Sequence, residues 1–257
     1  CDPASLGVTG IMADWNDTRQ QTGFTTVPRA GDAVARRATY DMGLRAHMIK
    51  IYNYMASGVL LTGIVALLTY SSGLALQFAS GPLMWLVALS PLVIVMAMSF
   101  GANRFSTPTL QAMFWGFAVL MGLSMSTLFL RFTGDSIAVT FFATAGAFAG
   151  LSLWGYTTKK DLSGFGTFLI MGVVGLLIAM VINIFVQSSA LMLAISLLGV
   201  LIFAGLTAYD TQRLKREYDY LRGTEFAGKA VILGALTLYL DFINMFTFLL
   251  QFMGNRE

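Results

Sequence analysis

Apolar residues fall in runs of about 20, the length at which a helix rising 1.5 Å per residue crosses the ~30 Å hydrocarbon core of a bilayer. Seven such runs follow one another: 48–71, 83–101, 109–131, 137–156, 166–187, 190–210 and 231–253. The breaks between them carry turn chemistry, among them Ser71-Ser72-Gly73, Gly81-Pro82, Ser106-Thr107-Pro108, Thr133-Gly134-Asp135, Lys159-Lys160-Asp161 and Ser188-Ser189. Pro91 sits inside the second run, where a missing N–H predicts a kink. The pattern predicts an all-α polytopic membrane protein with seven transmembrane helices.

The residues before the first run read differently. Positions 1–40 mix Gly, Thr, Asp, Arg and Pro28 without apolar periodicity, as a disordered tail does. RRATYDMGLRAHMIK (36–50) follows as a basic amphipathic lead-in at the membrane surface. The expected organisation is a polar cytoplasmic tail over 1–45 and a seven-helix membrane domain over 46–257. Residues 1–11 precede Met12, after which ADWNDTRQQ reads like a natural start, so they are read as a remnant or an upstream extension. The N-terminus is polar and acidic, so no secretory leader is expected.

Composition agrees with the pattern. Hydrophobic residues make up 56% of the chain and charged residues only 11%, against roughly 25% in soluble domains. The basic residues behave as topological markers. With the tail inside, only Arg131 and Arg256 of the 16 Lys and Arg residues fall on the outer side. That asymmetry predicts a cytoplasmic N-terminus by the positive-inside rule. It would survive if 231–253 were re-entrant, since only Arg256 would change sides. No basic patch with interleaved aromatics suggests nucleic acid. Cys1 is the single cysteine, so no internal disulfide or cysteine metal site is expected. No P-loop is present, which argues against pumping driven by ATP. No cofactor is expected.

Two carboxylates stand out against this background. Asp241 lies near the middle of the last run and Asp210 closes the one before it. An acid at mid-membrane costs ~2.5–3.5 kcal/mol on insertion scales, so it is retained where it faces protein or water. Tyr209 and Asn244 are nearby polar residues, and Asn183 and Gln187 are further candidates on the fifth run, though helix–helix hydrogen bonding explains them equally. If the two acids meet, they cannot both ionise cheaply, and a shared proton would latch two helices. Losing it would leave two charges that repel or recruit a cation. Hydropathy places Asp210 at a helix end and Asp241 about 15 Å deep at 1.5 Å per residue. Pairing therefore requires the sixth helix to continue past Asp210 through TQRLKREYDYLRG, whose Leu214, Tyr218 and Leu221 have helical spacing. Gly146 and Gly150 form a G-x-x-x-G, read as ordinary close helix packing. His47, the only histidine, is read as interfacial.

AYDTQRLK (208–215) followed by LTLYLDFINMFTFLLQFMG (236–254), with GLSMS at 122–126, resembles the Bax-inhibitor family of transmembrane proteins, and the residues point to a bacterial member. The resemblance implies a seven-helix fold with the last helix, about 231–253, central in the bundle. It implies a pH-sensitive calcium leak with a di-aspartyl sensor, here Asp210 and Asp241, which would also be weak, transient Ca²⁺ ligands. It further implies an arginine near the cytoplasmic end of the second helix as latch partner, a place that Arg104 fills.

The first expectation is thus a pH-sensitive cation leak channel in a bacterial inner membrane, with lipid and calcium ions as its partners. The alternative is a non-enzymatic regulator that binds a membrane-anchored protease or stress machinery through its basic tail and inner loops. An intramembrane aspartyl protease fits less well: Leu238-Tyr239-Leu240 precedes Asp241 where such enzymes carry Gly-x-Gly, and no Pro-Ala-Leu follows.

Overall fold

The computed structural model describes residues 30–79 and 82–255. The reading of residues 1–29 as a disordered tail, and of 1–11 as a remnant or extension, lies outside them. The chain divides into two units at Gly43, and the bundle belongs to the one that starts at Leu44. Among the described residues eight helices follow one another: α1 (Ala30–Ser71), the short α2 (Leu74–Phe78), α3 (Pro82–Gly101), α4 (Thr107–Met125), α5 (Gly134–Thr157), α6 (Ser163–Val186), α7 (Ser189–Leu221) and α8 (Ala227–Met253). A 3₁₀ turn over Ser126–Leu130 extends α4. Seven of these elements, all but α2, are long and apolar enough to cross a membrane.

The turn residues act as helix caps. Ser106, Thr133 and Ser188 each precede a helix in extended backbone, and each side chain accepts an N–H three residues on. Each cap satisfies a donor that the first turn would otherwise leave unpaired. Pro91 is carried inside α3. Its missing N–H would have met the carbonyl of Val87, and the Ser90 hydroxyl donates to that oxygen instead, at 3.0 Å. The helix therefore tolerates the proline without an orphaned acceptor.

Two expected boundaries move. The basic lead-in is not a separate element, because helix α1 already begins at Ala30. No proline interrupts residues 30–71, so nothing ends the helix where hydropathy begins. The second shift is in α7, which runs to Leu221, eleven residues beyond the end of its apolar stretch.

Helix α8 is the core of the bundle. In its most apolar stretch 72% of residues are buried, against 17–33% in the other six spans. It packs against α7, α5 and α4. It also meets α1, where the Tyr239 hydroxyl lies 2.7 Å from Thr62 Oγ1. Thr62 spends its one proton on the carbonyl of Ala118 in α4, at 2.9 Å, so Tyr239 is the donor of the pair. Three helices are thereby pinned at one buried point.

The close helix approaches are not where the G-x-x-x-G pattern would put them. A Cβ at Gly146 or Gly150 would meet nothing within 4 Å. At Gly155 it would lie 2.2 Å from the carbonyl oxygen of Ala208, where α5 crosses α7. Only a residue without a side chain fits there.

Candidate functional site

Helices α7 and α8 form an antiparallel hairpin closed by the turn 222–226, with Gly223 in the left-handed region at φ 78°. Counting from that turn, Asp210 lies eleven residues back and Asp241 fourteen residues into α8, or about 16 Å and 21 Å at 1.5 Å per residue. The extension of α7 thus brings the acids to similar depth, as their pairing required. Both are buried, at 5% and 4% exposure, and their carboxyl groups lie within reach of a hydrogen bond to each other. Such a bond needs a proton on one of them. Asp241 Oδ2 accepts no hydrogen bond from another group among the described residues.

The cation at the pair is Arg213, whose Nη1 lies 3.1 Å from Asp210 Oδ1. Its Nε lies 3.2 Å from Glu217 Oε1, which completes an Asp–Arg–Glu ladder at i, i+3 and i+7 on the C-terminal half of α7. Arg104 takes no such place. It sits exposed in the turn after α3 and forms no ion pair among the described residues. The expected latch partner is replaced because Arg213 is tethered to the same helix face as Asp210, one turn away.

The residues around Asp210 grip three different elements. Thr211 Oγ1 lies 3.2 Å from Ser152 Oγ of α5 and 3.4 Å from the Tyr52 hydroxyl of α1. Gln212 accepts the N–H of Leu162 at 2.9 Å and donates to the carbonyl of Lys160 at 2.7 Å, which clamps the loop between α5 and α6. Leu214 is buried beside Gly234 and Ile51. Lys215 donates to the carbonyl of Tyr156 at the end of α5, and Arg216 pairs with Asp161 at 2.7 Å. Asp161 also accepts from the side chain and the N–H of Ser163. Those two hydrogen bonds, then Arg216, hold its carboxyl at about 2, below its ordinary value of 3.8. A depressed value in the folded state stabilises the loop above pH 3.8, and the contribution fades as pH falls towards 2. Asp161 therefore does not titrate between pH 5 and 8.

A family model for "Inhibitor of apoptosis-promoting Bax1" matches residues 44–257. The chain belongs to the Bax inhibitor family. It is 48% identical over 230 residues to an uncharacterized protein of Caulobacter vibrioides, covering 84% of this chain and 92% of the relative. It is 44% identical over 226 residues to a protein of Rickettsia prowazekii, covering 87% and 95%. It is 42% identical over 234 residues to the inner membrane protein YbhL of Escherichia coli K12, covering 90% and 98%. Like other members of the Bax inhibitor family it is a membrane protein, and its family match spans the whole bundle.

Other residues singled out from the sequence of this Bax inhibitor family member have local structural roles. Tyr209 packs its ring against Gly166 of α6, on a different face of α7 from Asp210. Asn244 donates to the carbonyl of Leu240 in its own helix at 2.8 Å. Asn183 accepts the N–H of Ser188 at 3.1 Å and closes the α6–α7 turn, about 30 Å along α7 from Asp210. Among the described residues no group of three or more His, Cys, Asp or Glu side chains could hold a metal ion.

Sequence reasoning missed Arg213, Thr211 and Gln212. The signal for Arg213 was present as acid–base spacing at i, i+3 and i, i+4, but its charge was absorbed by the topology count. The Gln212 clamp predicts a measurable effect. Gln212→Ala leaves the Leu162 N–H and the Lys160 carbonyl without their partner and is expected to cost about 1–3 kcal/mol. Limited proteolysis in detergent checks this: cleavage between residues 157 and 163 should quicken in the variant.

Proposed function

We propose that this protein is a cation leak pathway, for Ca²⁺, whose conductance follows the protonation of the Asp210–Asp241 pair. The observation that supports the reading is the neighbouring pair of buried acids, one on the core helix and one on its hairpin partner. A group of this kind changes charge where no water screens it, so gaining or losing one proton alters the force between α7 and α8. Hard cations take oxygen ligands, and two carboxylates make a site of low occupancy, fit for passage instead of storage. No step in this reading breaks a covalent bond, and the protein acts without enzymatic chemistry. The Lys and Arg asymmetry favours a cytoplasmic N-terminus, and the printed name of the Escherichia coli relative favours a bacterial inner membrane.

The test is Ca²⁺ flux by the purified protein in liposomes from pH 5 to 8. The expected result is a leak above protein-free vesicles that changes across this range. Arg213→Gln should alter the profile and Arg104→Gln should leave it as it is, because only Arg213 touches the pair. Background flux at every pH would overturn the leak and return attention to the regulator of a membrane-anchored protease.

A further inference from the structure

A groove of about 780 Å³ opens between α1 and α5. It runs along residues 45–60 of α1 and 141–156 of α5, with Phe242 of α8 at its floor. Small residues at Ala145, Ala149 and Ser152 share one face of α5 and open the trough. At one end Arg45 lines the wall opposite Tyr156, close to where α5 stops at Thr157. Lys215 Nζ lies 4.8 Å from the centre of the Tyr156 ring. That end carries two cations and an aromatic ring where the helix leaves the membrane, as at a headgroup layer. Arg45 has no carboxylate partner among the described residues.

The dimensions decide what fits. Residues 45 to 60 span about 22 Å, more than half of the ~30 Å hydrocarbon core, so the groove follows one leaflet from its headgroups past the midplane. The medium around both walls is lipid, and an acyl chain is narrow enough to lie between them. We propose that the α1–α5 groove is a binding site for one phospholipid, its acyl chain between the helices and its phosphate on Arg45. Guanidinium suits this role, since its fork matches phosphate oxygens and its charge does not titrate.

The site is also linked to the core. Tyr52 and Ser152 line the groove, and both meet Thr211 Oγ1, the residue after Asp210. The bound chain therefore presses on the same three-helix junction that holds α7 in place. The binding proposal does not depend on the leak reading.

The experiment places the full chain in phosphatidylcholine nanodiscs that contain a minor fraction of phosphatidylglycerol with a diazirine at the end of one acyl chain. After irradiation, labelled residues are mapped by mass spectrometry. Label is expected to concentrate in 45–60 and 141–156, above the outward faces of α3 and α6. Arg45→Gln should reduce groove labelling by about tenfold, the usual scale for losing one charge-assisted contact. Ala149→Trp, which fills the trough, should remove it, and Ile178→Trp on the outer face of α6 should not. Label spread over all lipid-facing helices in proportion to exposure would overturn the site, as would unchanged groove labelling in Arg45→Gln. If Ala149→Trp fails to fold, the wild-type map and Arg45→Gln decide the matter.

Discussion

Asp241→Asn is expected to remove the pH dependence of Ca²⁺ flux, bringing the ratio between pH 5 and pH 8 to about 1, because the coupled pair loses its exchangeable proton. The amide is close in shape to a protonated carboxyl and still offers an N–H to Asp210. The helices keep their contact while the proton count between them is fixed. Asp210→Asn should flatten the profile as well, and it also discharges the acid that faces Arg213. Two other groups need to be separated from this effect. His47 is the only histidine and its ring lies 5.2 Å from that of Tyr218, two turns beyond Asp210 on α7. A His47→Gln variant that kept the wild-type profile would assign the response to the acids. Asp161 titrates near 2 and contributes nothing over this range. If both aspartate variants retained the wild-type profile, the acids would not be the sensor.

The second large effect concerns packing. Gly155→Ala is expected to destabilise the protein by about 3 kcal/mol, because overpacking against rigid backbone leaves neither side room to yield. The added carbon would meet the carbonyl oxygen of Ala208 at 2.2 Å, and its carbonyl carbon and Cα at 2.9 Å. Relief requires α5 and α7 to separate beside Asp210. Gly146→Ala and Gly150→Ala meet open space and should be neutral or gain up to about 1 kcal/mol from helix propensity. Thermal loss of the monodisperse peak in detergent, compared across the three variants, measures the difference. Equal melting of all three would show that the α5–α7 crossing does not limit stability.

These two cases mark what a linear chain can disclose. Helix number and most boundaries were legible, because each span must bury about 20 apolar residues and each break needs polar turn chemistry. Asp210 and Asp241 were legible for a related reason: an acid is conspicuous where hydrocarbon makes it costly. What escaped depends on rotation about helix axes. Gly146, Gly150 and Gly155 look alike in one dimension, and only the crossing of α5 with α7 makes one of them indispensable. Arg213 was visible as a charge, yet its assignment to Asp210 over Arg104 needed the continuation of α7 through Leu221. Tyr209 sits beside Asp210 in sequence but is turned about 100° from it, towards Gly166.

The position of the core helix bears on how the protein is made. α8 follows the helices it packs against, α1, α4, α5 and α7, so the ribosome delivers the centre of the bundle after its walls. Until then Thr62 lacks the Tyr239 hydroxyl, and Asp210 has Arg213 of its own helix but not the second carboxyl. Membrane insertion of α1 to α7 thus leaves the residues that face α8 without their packing partner. A chain stopped before Ala227 is not a smaller version of the protein. It is a set of helices with a polar cleft turned towards lipid, the kind of species that cellular quality control removes.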